Sequence, residues 1–356
     1  DLAGNVGAAS VSPANFVIDN TLPAIALSAP VGGECWSGTN NITWLTTEAN
    51  PSTVLIELSD DSGATFTTLA AAAPDAAGGG TYAFNTTGRN GANYRVRVTA
   101  TDLAGNVGIA AVSPADFSID NTNPVITLTS PVGGEFWSGT NNITWTTTES
   151  NPGTVLVEIS DNSGATFTTL AAAAPDAAGG GTFAFNTTGR NGANYRVRLT
   201  ATDLAGNVGT ANVSAADFTI DNTDPDLTIT SPAGGEVWGG THNITWSCTE
   251  ANPGGVRIDI SSDGGTNWSL LELNAPDNGS YPFDTTGRNG ANFKVRLTPT
   301  DGAGNSGAAR VSNTFTIDNI APNLTITSPV GGEVWGGTHN ITWSCTEANP
   351  GGVRID

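Results

Sequence analysis

The sequence predicts an all-β chain made of several copies of one sandwich module joined end to end. Three observations carry this. Asp-Leu-Ala-Gly-Asn stands at Asp1 and returns at Asp102 and Asp203, then as Asp-Gly-Ala-Gly-Asn at Asp301. A Gly-Gly-Glu-x-Trp segment returns in step, spacing Trp36, Trp137, Trp238 and Trp335 at 101, 101 and 97 residues. Between these markers, short stretches alternate apolar with polar residues and are bounded by Gly, Pro, Asn and Asp clusters, with no sustained 3.6-residue period. Solenoid and propeller units run to about 20–50 residues, so a period of this size is a whole domain with its own core. The expected division is 1–20 as the closing strand of a preceding repeat, 21–120, 121–221 and 222–318 as three full repeats, and 319–356 as the opening part of a fourth.

In the first full repeat the candidate strands run Ala24 to Ser28, Asn41 to Thr47, Thr53 to Ser59, Phe66 to Ala70, Thr81 to Thr86, Ala92 to Thr101 and Val112 to Ile119. Seven short strands in about 100 residues, rich in β-branched and aromatic residues, are the signature of an immunoglobulin-like or fibronectin III-like sandwich. Alternation assigns the faces. Val54, Ile56 and Leu58 point inward with Tyr94, Val96 and Val98, and Glu57, Arg95 and Arg97 point outward, so Glu57 is expected to face an arginine across the sheet. Trp44, Trp145 and Trp246, each in Ile-Thr-Trp, are expected in the core. The Ala- and Gly-rich stretch Ala70 to Gly80 reads as a flexible loop, since no helix pattern follows it and it lacks Lys-Ser/Thr for cradling a phosphate.

Composition restricts the function classes. With 33 acidic against 12 basic residues, the net charge is −21, and Lys294 is the single lysine. Such a polyanion repels nucleic acid and anionic lipid and favours divalent cations. No run approaches 18 apolar residues, so no membrane span is expected, and no signal peptide is visible. None of the complete repeats holds two of the three cysteines, which excludes a disulfide framework within a domain. Cys35 takes a slot filled elsewhere by Phe136, Val237 and Val334, and Cys248 replaces Thr46 and Thr147. Both read as buried free thiols. His242 and His339 share one repeat position held by Asn40 and Asn141, which marks them as surface variants and not as catalysts. No nucleophile-and-base pair or zinc spacing is present. The first two full repeats contain no lysine, so Lys-Asn isopeptide crosslinks are impossible there.

The run Thr-Ala-Thr-Asp-Leu-Ala-Gly-Asn (Thr99 to Asn106), followed by Ile-Asp-Asn-Thr-Asn-Pro (Ile119 to Pro124), resembles the closing strands and linker of bacterial Ig-like domains found in tandem in large surface adhesins. The segment Ser231 to Trp246, with Ser261 to Trp268, is similar to a secreted Ig-like module shared by bacterial surface proteins and fungal cell-wall assembly proteins. The resemblance implies extracellular architecture and says little of a ligand.

In such a topology the B–C and F–G loops lie at the end where the chain enters, beside the linker from the preceding domain. Asp19 and Asn20 of the first linker then approach Glu48 and Asp102 with Asn106. The set recurs as Asp120, Glu149, Asp203 and Asn207, and again as Asp221, Glu250 and Asp301. Converging carboxylates are unfavourable unpaired, and hard oxygens from several loops suit Ca²⁺, which takes six to eight of them. The resemblance points the same way, since tandem adhesin domains often carry calcium at their junctions. The competing reading makes these aspartates turn formers alone. Without cations, the carboxylates of Asp120, Glu149 and Asp203 are expected to repel and let the domains swing.

Ten Asn-x-Ser/Thr sequons occur, at Asn41, Asn85, Asn142, Asn186, Asn212, Asn243, Asn267, Asn278, Asn323 and Asn340. Loop sites such as Asn278 rank above Asn41, which starts a strand leading into a core tryptophan. Together these features predict a non-catalytic, extracellular structural repeat region, the shaft of a surface adhesin or a fibre subunit. Its expected partners are other copies of itself or cell-surface components, and calcium is the expected cofactor. Two other classes compete: a carbohydrate-binding array with Trp268 as a sugar platform, and an accessory region of a secreted hydrolase.

Overall fold

The computed structural model describes the chain except for residues 76, 77 and 178, and its regular elements there are all β-strands. In the first full repeat these are β1 (Ala24–Ala29), β2 (Cys35–Trp36), β3 (Thr39–Thr47), β4 (Pro51–Ser59), β5 (Thr67–Pro74), β6 (Gly80–Asn85), β7 (Gly91–Asp102), β8 (Ala111–Val112) and β9 (Phe117–Ile119). One sheet orders β1-β3-β6. The other orders β2-β9-β7-β4-β5, with β8 also paired to β7. The same two-sheet pattern recurs from Val125 to Ile220 and from Asp226 to Ile317, and Asn323–Ser328 pairs with Thr342–Thr346 beyond them. The chain is therefore a tandem array of immunoglobulin-like, fibronectin III-like sandwiches.

Each sandwich encloses a separate core. In the first, the antiparallel register sets Val54 opposite Ala100, Ile56 opposite Val98 and Leu58 opposite Val96, all buried, as the alternation requires. Trp44 is 1% exposed and Trp145 3%. On the outer side of the same ladder Glu57 faces Arg97, which donates from Nε at 2.6 Å and Nη2 at 2.9 Å. Arg95 turns instead to Asp116 at 2.6 Å.

Three expectations change. The closing strand is two pieces, because Pro114 cannot donate to a ladder and Ser113 uses its hydroxyl to accept from the Val96 N–H at 3.2 Å. The two-residue β2, parallel to β9, is too short to show alternation. The stretch Ala70 to Gly80 is strand at both ends: Ala70–Pro74 belongs to β5 and Gly80 opens β6, while residues 76 and 77 lie outside the described residues. Its glycines serve close approach. A Cβ on Gly79 would stand 2.1 Å from the Trp44 carbonyl oxygen, and one on Gly80 2.5 Å from the Trp44 indole.

Candidate metal centre

Each junction is built from three short segments. The last residue of the long strand β7 is Asp102, and its counterparts Asp203 and Asp301 end the equivalent strands. Its Oδ1 accepts from the Asn106 N–H at 2.8 Å and its Oδ2 from Asn106 Nδ2 at 2.7 Å, so Asp-x-Ala-Gly-Asn closes a side-chain-to-backbone turn. The loop after β3 brings Glu48, which accepts from the Asn50 N–H at 2.9 Å. The linker brings Asp19, whose oxygens accept from the Thr21 N–H at 3.0 Å and Asn50 Nδ2 at 3.2 Å. Those bonds, led by the Thr21 amide and then Asn50, hold the Asp19 carboxyl below its ordinary range.

The carboxylates converge. In each of the sets Asp19–Glu48–Asp102, Asp120–Glu149–Asp203 and Asp221–Glu250–Asp301, one oxygen per residue lies within 4.8 Å of the other two. Asp120, Asp203, Asp221 and Asp301 are buried. Turn formation and convergence are thus both true of the same aspartates. Asn106 and Asn207 stand beside the carboxylates as donors: Asn207 Nδ2 gives hydrogen bonds to the Asp120 carbonyl at 2.9 Å and to Asp203 Oδ2 at 2.7 Å. Through Nδ2 they position the loop. The negative field reaches Cys35. Its half-buried thiol is pushed up to about 11, by burial first and then by Asp120, Asp203 and Glu149.

At three linkers the residue after the aspartate, Asn121, Asn222 or Asn319, grips the preceding repeat. Asn121 accepts from the Gly38 N–H at 3.1 Å and donates to the carbonyls of Thr86 at 3.0 Å and Arg89 at 2.8 Å, and its own N–H meets Asn90 Oδ1 at 2.7 Å. Asn222 and Asn319 repeat this. Successive repeats also touch directly, Ser37 Oγ donating to the Ala205 carbonyl at 2.7 Å and Ser138 Oγ to that of Ala303 at 2.8 Å. The linker between repeats is thus spanned by hydrogen bonds to both sides. The exchange of Asp and Asn in consecutive linker positions, one for each neighbour, is the sequence signal for it.

Other candidates take structural places. Trp268 lies under the Arg296 guanidinium, 4.6 Å from the ring centre, as Phe66 lies under Arg97 and Phe167 under Arg198 at 4.2 Å. One face of the proposed sugar platform is therefore already covered. His242 stacks on Trp238 at 5.0 Å, its Nε2 3.2 Å from the Gly239 carbonyl, the place where Asn40 Nδ2 bonds the Ser37 carbonyl at 2.7 Å. Cys248 is half-buried against the third core, and burial followed by Asp277 pushes its thiol up to about 12.

No family model matches the chain, and no curated protein matches it. Among solved structures it is similar to the fibronectin(III)-like modules of Clostridium thermocellum CbhA, at 16% identity and a TM-score of 0.33 over 55% of this chain and 95% of that one. A tetra-tandem repeat in the extending region of a large adhesion protein matches at 20% identity and a TM-score of 0.28, over 86% and 76% of the two chains. The FN1–FN3 domains of chicken CNTN1 match at 13% and 0.34, over 83% and 99%. Among the described residues no helix is long and apolar enough to cross a membrane.

Proposed function

We propose that this chain is a non-catalytic, extracellular structural repeat region whose junctions bind calcium and set the spacing of successive sandwiches. The observation that carries the reading is the junction itself: at Asp120 and Asp221 a linker aspartate meets two carboxylates of the following repeat while the neighbouring asparagine, Asn121 or Asn222, is bonded into the preceding one, and Asp19 meets the same pair of carboxylates in the first full repeat. Three carboxylates this close repel one another by a few kcal/mol per pair at an effective dielectric of about 20, and a divalent cation turns that repulsion into attraction. The donor set is all oxygen, which suits Ca²⁺ over softer-ligand metals. Asp120, Glu149 and Asp203 would hold the ion at the junction between the first and second full repeats, and it would lock a linker that hydrogen bonds have already placed.

Isothermal titration with calcium, paired with small-angle scattering in calcium and in chelator, tests this on unglycosylated chain. Saturable binding is expected, with a longer maximum dimension in calcium, and Asp120→Asn with Asp203→Asn should weaken both. Silent calorimetry and superimposable scattering would leave the junctions as hydrogen-bonded contacts alone.

A further inference from the structure

Asn-Ile-Thr-Trp occurs at Asn41, Asn142, Asn243 and Asn340. Packing accounts for half of each motif. Ile42, Ile143 and Ile244 are fully buried, and the tryptophans nearly so. The asparagine and threonine alternate to the other side of the strand, the outward face of the three-stranded sheet. There Asn41, Asn142 and Asn243 are exposed, and their carboxamides make no hydrogen bond among the described residues. Asparagine is a poor strand former, so at these positions it costs the fold a little and returns nothing to it. The third repeat has drifted at many nearby sites, from Asn40 to His242 and from Thr46 to Cys248, but keeps this pair.

The surroundings leave room for a large substituent. Directly opposite stand Ala83, Ala184 and Pro282, small and uncharged. On the other side the ladder ends at Ala29 opposite Thr43, Ser130 opposite Thr144 and Ser231 opposite Thr245, so no strand partner flanks the asparagines there. The other sequon asparagines of the three full repeats are engaged. Asn212 Oδ1 accepts from the Leu128 N–H at 3.1 Å, Asn267 Nδ2 donates to Asp263 at 2.7 Å, and Asn278 Oδ1 accepts from the Ser280 N–H at 3.1 Å. Sequence ranks loop sites such as Asn278 above Asn41, whereas the wholly unbonded carboxamides favour Asn41, Asn142 and Asn243.

We propose that Asn41, Asn142 and Asn243 are acceptors of N-linked oligosaccharide, one glycan on the same sheet of each full repeat. The donor is an oligosaccharide on a lipid pyrophosphate. Asparagine Nδ2 forms a bond to the anomeric carbon, the carbon–oxygen bond to phosphate breaks, the lipid pyrophosphate leaves with the electron pair, and the amide proton passes to a base of the transferase. The hydroxyls of Thr43, Thr144 and Thr245, which such transferases require two residues on, share the face. The inference rests on the extracellular reading above.

Two measurements on the native protein separate them: its location on intact cells by immunogold labelling, and glycopeptide mass spectrometry of the purified chain. Surface labelling with glycan on the Asn41, Asn142 and Asn243 peptides and none on Asn212 is the expected result. Surface labelling with those three peptides bare overturns the glycan proposal alone, whereas labelling confined to the cell interior overturns the extracellular reading. In a secreting host that glycosylates asparagine, each Asn→Gln change should remove one glycan mass with the melting temperature of the deglycosylated chain unchanged. Wild-type chain secreted bare by that host would also overturn the proposal.

Discussion

Asn207 Nδ2 donates to the backbone carbonyl of Asp120 across 87 residues of sequence, while also bonding the Asp203 carboxylate. One carboxamide thus joins the linker, the end of a core strand and the turn that follows it. Asn106 and Asn305 do the same for Asp19 and Asp221.

Replacing Asn207 with alanine strands the linker carbonyl and one Asp203 oxygen, a loss of about 1–3 kcal/mol confined to the junction. Hydrogen exchange at the Asp203 to Asn207 turn should speed up while exchange in the core strands stays put. Equal acceleration throughout the second repeat would show that the amide supports the fold at large and not the junction.

The buried tryptophans give a larger effect. Trp145→Ala empties a fully enclosed site and should cost about 3–5 kcal/mol. Its indole N–H also bonds Asp176 Oδ1 at 3.0 Å, which accepts from Thr147 Oγ1 at 2.9 Å as well. Asp176→Ala should therefore cost about 1–3 kcal/mol and Asp176→Asn much less, since the amide oxygen can still accept. Denaturant midpoints measured on a single excised repeat, once shown to fold, would check the order. An Asp176→Ala midpoint equal to wild type would remove the aspartate from the account.

How much of this could be read beforehand follows from what each element depends on. The inward faces of β4 and β7 and the pairing of Glu57 with an arginine follow from period-two alternation, and the meeting of Asp120, Glu149 and Asp203 follows from loop placement once a sandwich is assumed. The role of Asp176 is invisible because its partner is 31 residues away and lies in another strand. The ordering of Ala70 to Pro74 is hidden for a different reason: alanines and glycines suggest freedom, whereas here the lack of side chain lets β6 lie against Trp44. Glu34 looks like a surface charge, but its carboxylate accepts from the Val31 and Gly32 N–H groups at 2.7 Å and closes its own loop.

Acid should separate the repeats. Asp61 is held at about 2, below its ordinary 3.8, by the Ser59 hydroxyl and then the Thr65 hydroxyl and amide. Asp263 is held at about 2 chiefly by Asn267. A carboxylate with a depressed folded pKa supports its loop fully above about 4 and loses that support as pH falls from there through 2. The second repeat has Asn162 at this position, accepting from Ser160 Oγ at 2.8 Å and the Thr166 N–H at 2.9 Å with no charge to lose. Amide resonances of Thr65 and Asn267 should shift in that window and Thr166 should not. Parallel shifts in all three would assign the change to another group.

The junctions are not interchangeable. Phe136 lies against the turn of the third repeat, where a Cβ on Gly302 would already stand 3.6 Å from its ring. The branched end of a leucine would extend beyond that contact, beside the Phe136 ring. The preceding junction holds Cys35 and Leu204 at the same two positions, the small residue on the opposite side. Gly302→Leu alone should therefore push the second and third repeats apart, breaking the Ser138–Ala303 bond and costing about 1–3 kcal/mol at that contact. Adding Phe136→Cys recreates the first junction's pairing and should recover most of the loss. Hydrogen exchange at the 301–305 turn, measured for both single variants and the double, gives the coupling directly. Additive effects would mean that the two side chains do not share the space, and that junction identity lies in the linker alone.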